Sequence, residues 1–148
     1  MEAVIFIGIQ AVGKSTFYKD KFFKTHIRIS MDMLNTRNKE QTLLEACFLV
    51  QQPFVIDNTN PLKQDRLKYI EQAKRKKYKV IGYYFQSKLD DALERNSLRK
   101  GKENIPEIAI KGTYNKLELP SYSEEFDELY YVEITEGNFI VKKWQNEV

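Results

Sequence analysis

The sequence contains little cysteine, histidine or proline. Its 148 residues include one cysteine (Cys47), one histidine (His26) and four prolines. A single cysteine excludes a disulfide framework and any metal site built mainly from cysteine. It is typical of a protein kept in a reducing compartment, so we expect a cytoplasmic protein.

The sequence also lacks a long apolar segment, a repeat and a flexible linker. The first apolar run, residues 3–7, is far too short to span a bilayer, which takes about 20 residues. An acid, Glu2, stands where a secretory signal would be positively charged. We therefore expect no membrane partner. Without a stretch rich in Gly, Ser or Pro to divide it, the chain is predicted to form one domain over residues 1–148.

Apolar runs of strand length alternate along the chain with amphipathic helical segments. Strands are predicted at residues 3–7, 26–30, 54–56, 79–86 and 130–134, and helices at 14–24, 32–51, 61–77, 89–98 and from Pro106. This alternation predicts an α/β protein with three α/β/α layers and a mostly parallel central sheet. Ligands of such sheets bind at the carboxyl ends of the strands.

Residues 8–15 match the phosphate-binding pattern G-x-x-x-x-G-K-[ST], with Gly8, Gly13, Lys14 and Ser15 at its fixed positions. The motif follows a predicted buried strand and opens a predicted helix, which is the context that it requires. A chance match is therefore disfavoured. We expect a P-loop protein that binds ATP with Mg²⁺.

Each part of this phosphate loop has a predicted task. The glycines and the intervening Ala11 and Val12 allow backbone amides to surround the phosphates. Lys14 is expected to reach the β- and γ-phosphates and is a catalytic candidate. Ser15 is expected to bind Mg²⁺, and Thr16 the α-phosphate. The loop identifies the phosphate donor and leaves the acceptor open.

Two acids follow predicted strands on the same side of the sheet. Asp32 could accept a proton from an attacking hydroxyl, or it could be the N-cap of the next helix. Asp57 closes a short apolar strand, where a carboxylate can hold Mg²⁺ or its water. The residues after it, Asn58-Thr59-Asn60-Pro61, combine turn chemistry with a place beside the site.

Arg95 and Arg99 are four residues apart and so share one helix face. Arginines on a mobile segment can close over a triphosphate and neutralise charge in the transition state. An ordinary solvated helix face is the alternative. The first interpretation predicts a small helical lid at about residues 95–112, which we call the lid segment.

Taken in order, these segments resemble the kinase domain of polynucleotide 5′-hydroxyl kinases over roughly residues 3–134. Ile56-Asp-Asn-Thr-Asn-Pro61 followed by Arg66 is similar to the animal bifunctional kinase/phosphatases, and Arg95-Asn-Ser-x-Arg99 is similar to the bacteriophage enzyme. The resemblance implies transfer of the ATP γ-phosphate to the 5′-hydroxyl end of DNA or RNA.

The resemblance also implies roles for particular residues. Asp32 would be the general base, Arg99 a catalytic lid arginine on the β/γ-phosphates, and Arg95 a support for the lid or the nucleotide. The acceptor site would include Asp57, Asn58, Thr59, Asn60 and Arg66.

The chain departs from the phage pattern at one position. The arginine three residues after the base is Asn35 here, and Arg37 is the candidate replacement. No Asp-x-Asp-Gly-Thr motif occurs, so 3′-phosphatase activity is not expected. A kinase of a small molecule such as a nucleoside or sugar, and a non-catalytic ATP-binding module, are the alternative functions.

Overall fold

The structure, a computed structural model, describes residues 1–145. Its strands form a six-stranded sheet in the order β2-β3-β1-β4-β5-β6, in which the first five strands are parallel and β6 is antiparallel to β5. The strands are β1 (Glu2–Ile7), β2 (Ile27–Ile29), β3 (Phe54–Ile56), β4 (Lys79–Phe85), β5 (Glu128–Thr135) and β6 (Asn138–Lys143).

Helices connect the parallel strands and cover both faces of the sheet. They are α1 (Lys14–Lys21), α2 (Met31–Leu34), α3 (Arg37–Val50), α4 (Lys63–Arg75), α5 (Leu89–Ser97) and α6 (Glu107–Lys116). Short 3₁₀ turns lie at Gly101–Glu103 and Tyr122–Glu124. Within residues 1–145, no helix combines the length and apolar character needed to cross a membrane.

The side chains of β1 alternate between two hydrophobic cores because successive strand residues point to opposite faces. Ala3 and Ile5 join the core that packs under α3 and α4. Val4 and Phe6 join the core under α1, α5 and α6, where aromatic rings are closely packed. β1 is therefore buried on both sides, and the predicted three-layer α/β/α fold with a mostly parallel sheet is confirmed.

Two predicted elements differ from the structure. The helix expected over residues 32–51 is broken into α2 and α3, because Asn35 adopts a left-handed conformation (φ 69°) and Thr36 caps α3 by accepting the Lys39 amide at 3.1 Å. Asparagine tolerates this conformation better than most residues. The helix expected to reach residue 24 ends at Lys21.

The strand predicted at 130–134 is not the last one, because β6 follows it. Glu136 and Gly137 connect β5 to β6 with φ of 52° and 78°, as the tight turns of two-residue hairpins require. β6 is mostly exposed, and its apolar residues are the short run Phe139-Ile140-Val141, which is followed by two lysines.

The strand order places the predicted site residues together. β3 lies between β1 and β2, and all three run parallel. The phosphate loop follows β1, Asp32 lies just after β2, and Asp57 follows β3. The three segments therefore meet at one edge of the sheet.

Candidate active site

The phosphate loop surrounds the side chain of Lys14. The Lys14 ammonium group donates to the carbonyl oxygens of Gly8 at 2.9 Å and Ile9 at 2.6 Å. The pKa of Lys14 is lowered to about 8, mainly by burial; the Arg99 charge acts in the same direction, whereas Asp57 and Asp32 act in the opposite direction. Lys14 is thus held at the loop in an environment where phosphate oxygens would stabilise its charged form.

Gly13 is required at the start of α1 for two reasons. Its φ of 91° is accessible to glycine and strained for other residues. A Cβ atom here would also lie 3.1 Å from Ile134 Cδ1 and 3.1 Å from Phe139 Cε1. The β5–β6 hairpin therefore packs directly against the phosphate loop.

Ser15, Asp57 and Arg28 form a closed hydrogen-bonded ring. Ser15 Oγ donates to Asp57 Oδ2 at 3.1 Å. Arg28 Nε donates to the same carboxylate oxygen at 2.8 Å, and Arg28 Nη2 donates to Ser15 Oγ at 3.0 Å. The two groups predicted to hold Mg²⁺ are therefore adjacent, and a cationic side chain bridges them.

The Ser15 and Asp57 oxygens fit a magnesium ion that is bound mainly by phosphates and water. Mg²⁺ takes oxygen ligands and typically receives one or two from the protein beside a nucleotide. Within residues 1–145 there is no cluster of three or more acidic, histidine or cysteine side chains that could hold a metal by itself. A metal here would depend on the nucleotide for its remaining ligands.

Asp32 lies in α2 with its carboxylate exposed to the cavity beside the phosphate loop. The N-cap of α2 is Ser30 and that of α3 is Thr36, so Asp32 does not cap either helix. Among residues 1–145, no hydrogen bond or ion pair engages the Asp32 side chain. The carboxylate is thus free to accept a proton from a ligand.

A buried network fixes the segment that contains Asp32. Asn58 Oδ1 accepts the Met31 amide at 2.9 Å, and Asn58 Nδ2 donates to Glu40 at 2.9 Å. Tyr69 donates to the same Glu40 oxygen at 3.0 Å, and burial is the main cause that raises the pKa of Tyr69. α2, α3 and α4 are therefore linked through one carboxylate.

Arg37 reaches this network from the cavity side. One of its terminal nitrogens donates to Glu40 at 2.9 Å and to the Tyr69 hydroxyl at 3.2 Å, yet the side chain remains 60% exposed. Asn35 lines the same cavity. Arg37 therefore combines a fixed position with exposed hydrogen-bond donors.

The turn after β3 joins the phosphate loop to the acid-bearing side of the cavity. The Thr59 carbonyl accepts the Gly8 amide at 3.0 Å, and Thr59 lines the cavity. Asn60 is buried and donates to the Phe6 carbonyl at 2.7 Å. Asp57, Asn58 and Thr59 therefore line the cavity, whereas Asn60 supports the turn from below.

The structure does not bring Arg66 to the cavity. Its side chain is fully buried and forms a two-point ion pair with Glu124 at 2.8 and 3.1 Å. It also donates to the carbonyls of Asn60, Pro61 and Glu118. These contacts tie α4 to the turn after β3 and to the segment that precedes β5.

The lid segment covers the other side of the phosphate loop. Arg95 approaches the Ala11 carbonyl at 3.4 Å, and Arg99 lines the cavity with Lys102 and Glu103. Arg99 approaches the Glu103 carbonyl at 3.4 Å. The two arginines are thus placed beside the phosphate loop, with Arg99 facing the cavity.

The cavity that contains these groups has a volume of about 1100 Å³. This exceeds the roughly 300–1,000 Å³ of most small-molecule pockets. Its lining contains three acidic side chains and more cationic ones, namely Lys14, Lys19, Arg28, Arg37, Arg99 and Lys102. The cavity is therefore suited to anionic ligands.

The sequence pattern does not single out several residues that the structure places at the site. Arg28 is one, and the available signal is a charged residue between two isoleucines in a short strand. Glu40 is another, and its burial depends on long-range contacts with Asn58 and Tyr69 that sequence periodicity does not reveal. Phe23 lines the cavity mouth with its side chain largely exposed.

The fold and the phosphate loop together define the class of protein: a P-loop domain of the kinase type. No protein-family model matches the chain. A similar solved structure is a gluconokinase from Sinorhizobium meliloti 1021, with a TM-score of 0.64, 17% identity, and coverage of 89% of this chain and 82% of that one. At this identity the similarity shows the fold alone.

Two curated relatives add sequence similarity. One is the bifunctional polynucleotide phosphatase/kinase of Schizosaccharomyces pombe, 26% identical over 129 residues, which are 84% of this chain and 32% of the relative. The other is the putative bifunctional polynucleotide phosphatase/kinase of Acanthamoeba polyphaga mimivirus, 28% identical over 141 residues, which are 86% of this chain and 32% of the relative. The chain thus spans about a third of the length of these relatives. This P-loop domain is similar in sequence to these polynucleotide phosphatase/kinases, and the findings support a phosphotransferase.

Proposed function

We propose that this domain transfers the γ-phosphate of ATP to the 5′-hydroxyl end of DNA or RNA. The observation that carries the proposal is the position of Asp32, an unpaired carboxylate in the same cavity as Lys14 and Ser15. The names of the two curated relatives support a polynucleotide as the acceptor.

The reaction assigns one task to each side of the cavity. Asp32 accepts the proton of the 5′-hydroxyl, whose oxygen attacks the γ-phosphorus as the bond to the β–γ bridging oxygen breaks and ADP leaves. Lys14 and Arg99 stabilise the charge on the β- and γ-phosphates, and Arg95 supports the lid segment. Mg²⁺, held by Ser15 and Asp57, would neutralise phosphate charge and orient the donor.

The acceptor is proposed to bind along the wall formed by α2, α3 and the turn after β3. Arg37 binds the acceptor in place of the arginine that the phage pattern has at position 35, since its exposed donors line the same cavity as Asp32. Asn58 and Thr59 shape the floor of this region. The cationic lining would contact backbone phosphates of the acceptor.

The first test is an acceptor screen with γ-labelled ATP and Mg²⁺. Matched DNA, RNA and nucleoside acceptors, all with a free 5′-hydroxyl, are compared with a sugar acid. We expect label on the oligonucleotides. Label on the nucleoside or sugar acid alone would instead favour a small-molecule kinase, and a chain that binds ATP without labelling any acceptor would favour a non-catalytic module.

The second test is the Asp32→Asn variant, which keeps the size of the side chain and removes the base. We expect kcat to fall by at least about 100-fold while ATP affinity is unchanged. Asp20→Asn, an exposed change in α1 outside the cavity, is the matched control. Full activity of Asp32→Asn would contradict the assignment of the base.

A further inference from the structure

Arg28 is a charged residue in the three-residue strand β2, and its side chain contacts both oxygens assigned to Mg²⁺. Its Nε donates to Asp57 Oδ2 at 2.8 Å, and its Nη2 donates to Ser15 Oγ at 3.0 Å. Ser15 donates to the same Asp57 oxygen at 3.1 Å. Arg28 therefore holds the serine and the carboxylate in contact with each other.

The members of this ring differ in their freedom to move. The Asp57 side chain is only 2% exposed and follows the internal strand β3, whereas the Arg28 side chain is 27% exposed and comes from the edge strand β2. A long, partly exposed side chain can change rotamer at lower cost than a buried carboxylate. If one of the two groups must move, it is the guanidinium.

A divalent cation at Ser15 and Asp57 would compete directly with Arg28. Mg²⁺ approaches its oxygen ligands to about 2.0–2.1 Å and needs the lone pairs that now accept the guanidinium hydrogens. Two cations on one carboxylate oxygen also repel each other strongly in a partly buried site. The metal and Arg28 therefore cannot both keep these contacts.

We propose that Arg28 is a positioning residue that keeps Ser15 and Asp57 in place and gives way to the Mg²⁺ that enters with the nucleotide. In this arrangement Arg28 sets the Mg²⁺ concentration that nucleotide binding requires. The inference rests on the proposed function only in that it assumes a nucleotide bound with Mg²⁺, and it is independent of the acceptor.

The test measures ADP affinity by calorimetry over a series of Mg²⁺ concentrations. In Arg28→Gln the competing charge is removed, so the Mg²⁺ midpoint should be lower than in the wild type by roughly fivefold or more. Arg75→Gln, the same change at an exposed position outside the cavity, should leave the midpoint unchanged. An unchanged or higher midpoint in Arg28→Gln would overturn the proposal.

A second variant guards against a loss of folding in Arg28→Gln, which circular dichroism would reveal. Arg28→Lys keeps the positive charge, so its midpoint should lie closer to that of the wild type. If Arg28→Gln folds, an Mg²⁺ midpoint of Arg28→Lys at or below that of Arg28→Gln would also overturn the proposal. If Arg28→Gln does not fold, a midpoint of Arg28→Lys that is fivefold or more below that of the wild type would overturn it.

The outcomes also separate this proposal from the proposed function. A wild-type chain that binds no ADP at any Mg²⁺ concentration contradicts both. A chain that binds ADP but labels no oligonucleotide contradicts the acceptor assignment alone, and the Arg28 comparison is then decided by the same calorimetry.

Discussion

Arg66 shows how one buried charge can join distant segments of the chain. Its guanidinium is fully buried, pairs with Glu124 and donates to three carbonyl oxygens. The resemblance to polynucleotide kinases implies a place in the acceptor site, whereas the observed contacts favour support of the turn after β3. The two roles predict different defects when the side chain is changed.

Replacing Arg66 by Met should destabilise the fold by about 3–5 kcal/mol, because it leaves the Glu124 carboxylate largely buried and unpaired. Chemical denaturation gives the free energy of unfolding. Lys74→Met breaks the half-exposed pair with Asp127 and should cost less than about 1 kcal/mol. An Arg66→Met protein of normal stability with a raised KM for the acceptor would instead support a direct acceptor role.

At the same scale, the phosphate loop was predictable from the sequence because its residues are consecutive and each has a fixed task. For Asp32 the sequence leaves two roles open, a general base and an N-cap. The structure excludes the N-cap role, because Ser30 and Thr36 occupy the N-cap positions of α2 and α3. Arg28 was not predictable, because its function depends on the pairing of β2 with β3.

The lid segment is organised by a single buried amide. Asn96 donates to the Ile105 carbonyl at 2.6 Å and accepts the Ile105 amide at 2.8 Å, so it closes the loop between α5 and α6. Arg99, Lys102 and Ile105 of this loop line the cavity. The position of Arg99 therefore depends on Asn96.

Asn96→Ala should loosen the loop and leave the sheet unchanged. It removes both hydrogen bonds to Ile105 and leaves partly buried backbone groups without these partners, at a cost of about 1–3 kcal/mol. Hydrogen exchange at residues 99–105 should become faster, whereas exchange in β1 and β4 should not change. Ser97→Ala, which removes an exposed hydroxyl bonded to Glu94, is the control. Unchanged exchange in Asn96→Ala would show that other contacts hold the loop.

At the level of elements, the five parallel strands were predictable, because β1, β3, β4 and β5 contain apolar or aromatic runs, β2 alternates, and each lies next to a helical segment. The division between α2 and α3 was not, because residues 35–42 are all polar, so the apolar pattern does not locate the break, which arises from the backbone conformation of Asn35. β6 was also missed, although the two-residue connection Glu136-Gly137 between two segments rich in strand-forming residues is a hairpin signal.

The distribution of charge over the molecule bears on the choice of acceptor. The chain has a formal net charge of only +3, yet cationic side chains outnumber acidic ones on the cavity wall. The net charge of the chain therefore says little about the acceptor, whereas the positions of the charged side chains around the cavity do bear on it. The cationic lining would bind an acceptor with several phosphates more tightly than an uncharged acceptor.

We expect the affinity for a 5′-hydroxyl oligonucleotide to fall as salt rises, with a log–log slope of about −0.7 for each phosphate contacted. KM for the oligonucleotide is measured from low to moderate salt at saturating ATP, with a nucleoside acceptor as the uncharged control. A slope near zero for the oligonucleotide would show that the cationic lining does not contact its backbone.

The contact of Gly13 with Ile134 and Phe139 has a consequence for how this domain is delimited. The resemblance ends near residue 134, and every residue with a proposed catalytic task lies before it. Phe139 nevertheless packs against Phe17 of α1, with ring centroids 5.1 Å apart, and against the loop at Gly13. A fragment that ends near residue 134 would keep every residue with a proposed catalytic task. It would lose part of the surface against which the phosphate loop packs. The functional unit is therefore bounded by packing, and it reaches at least to the end of β6.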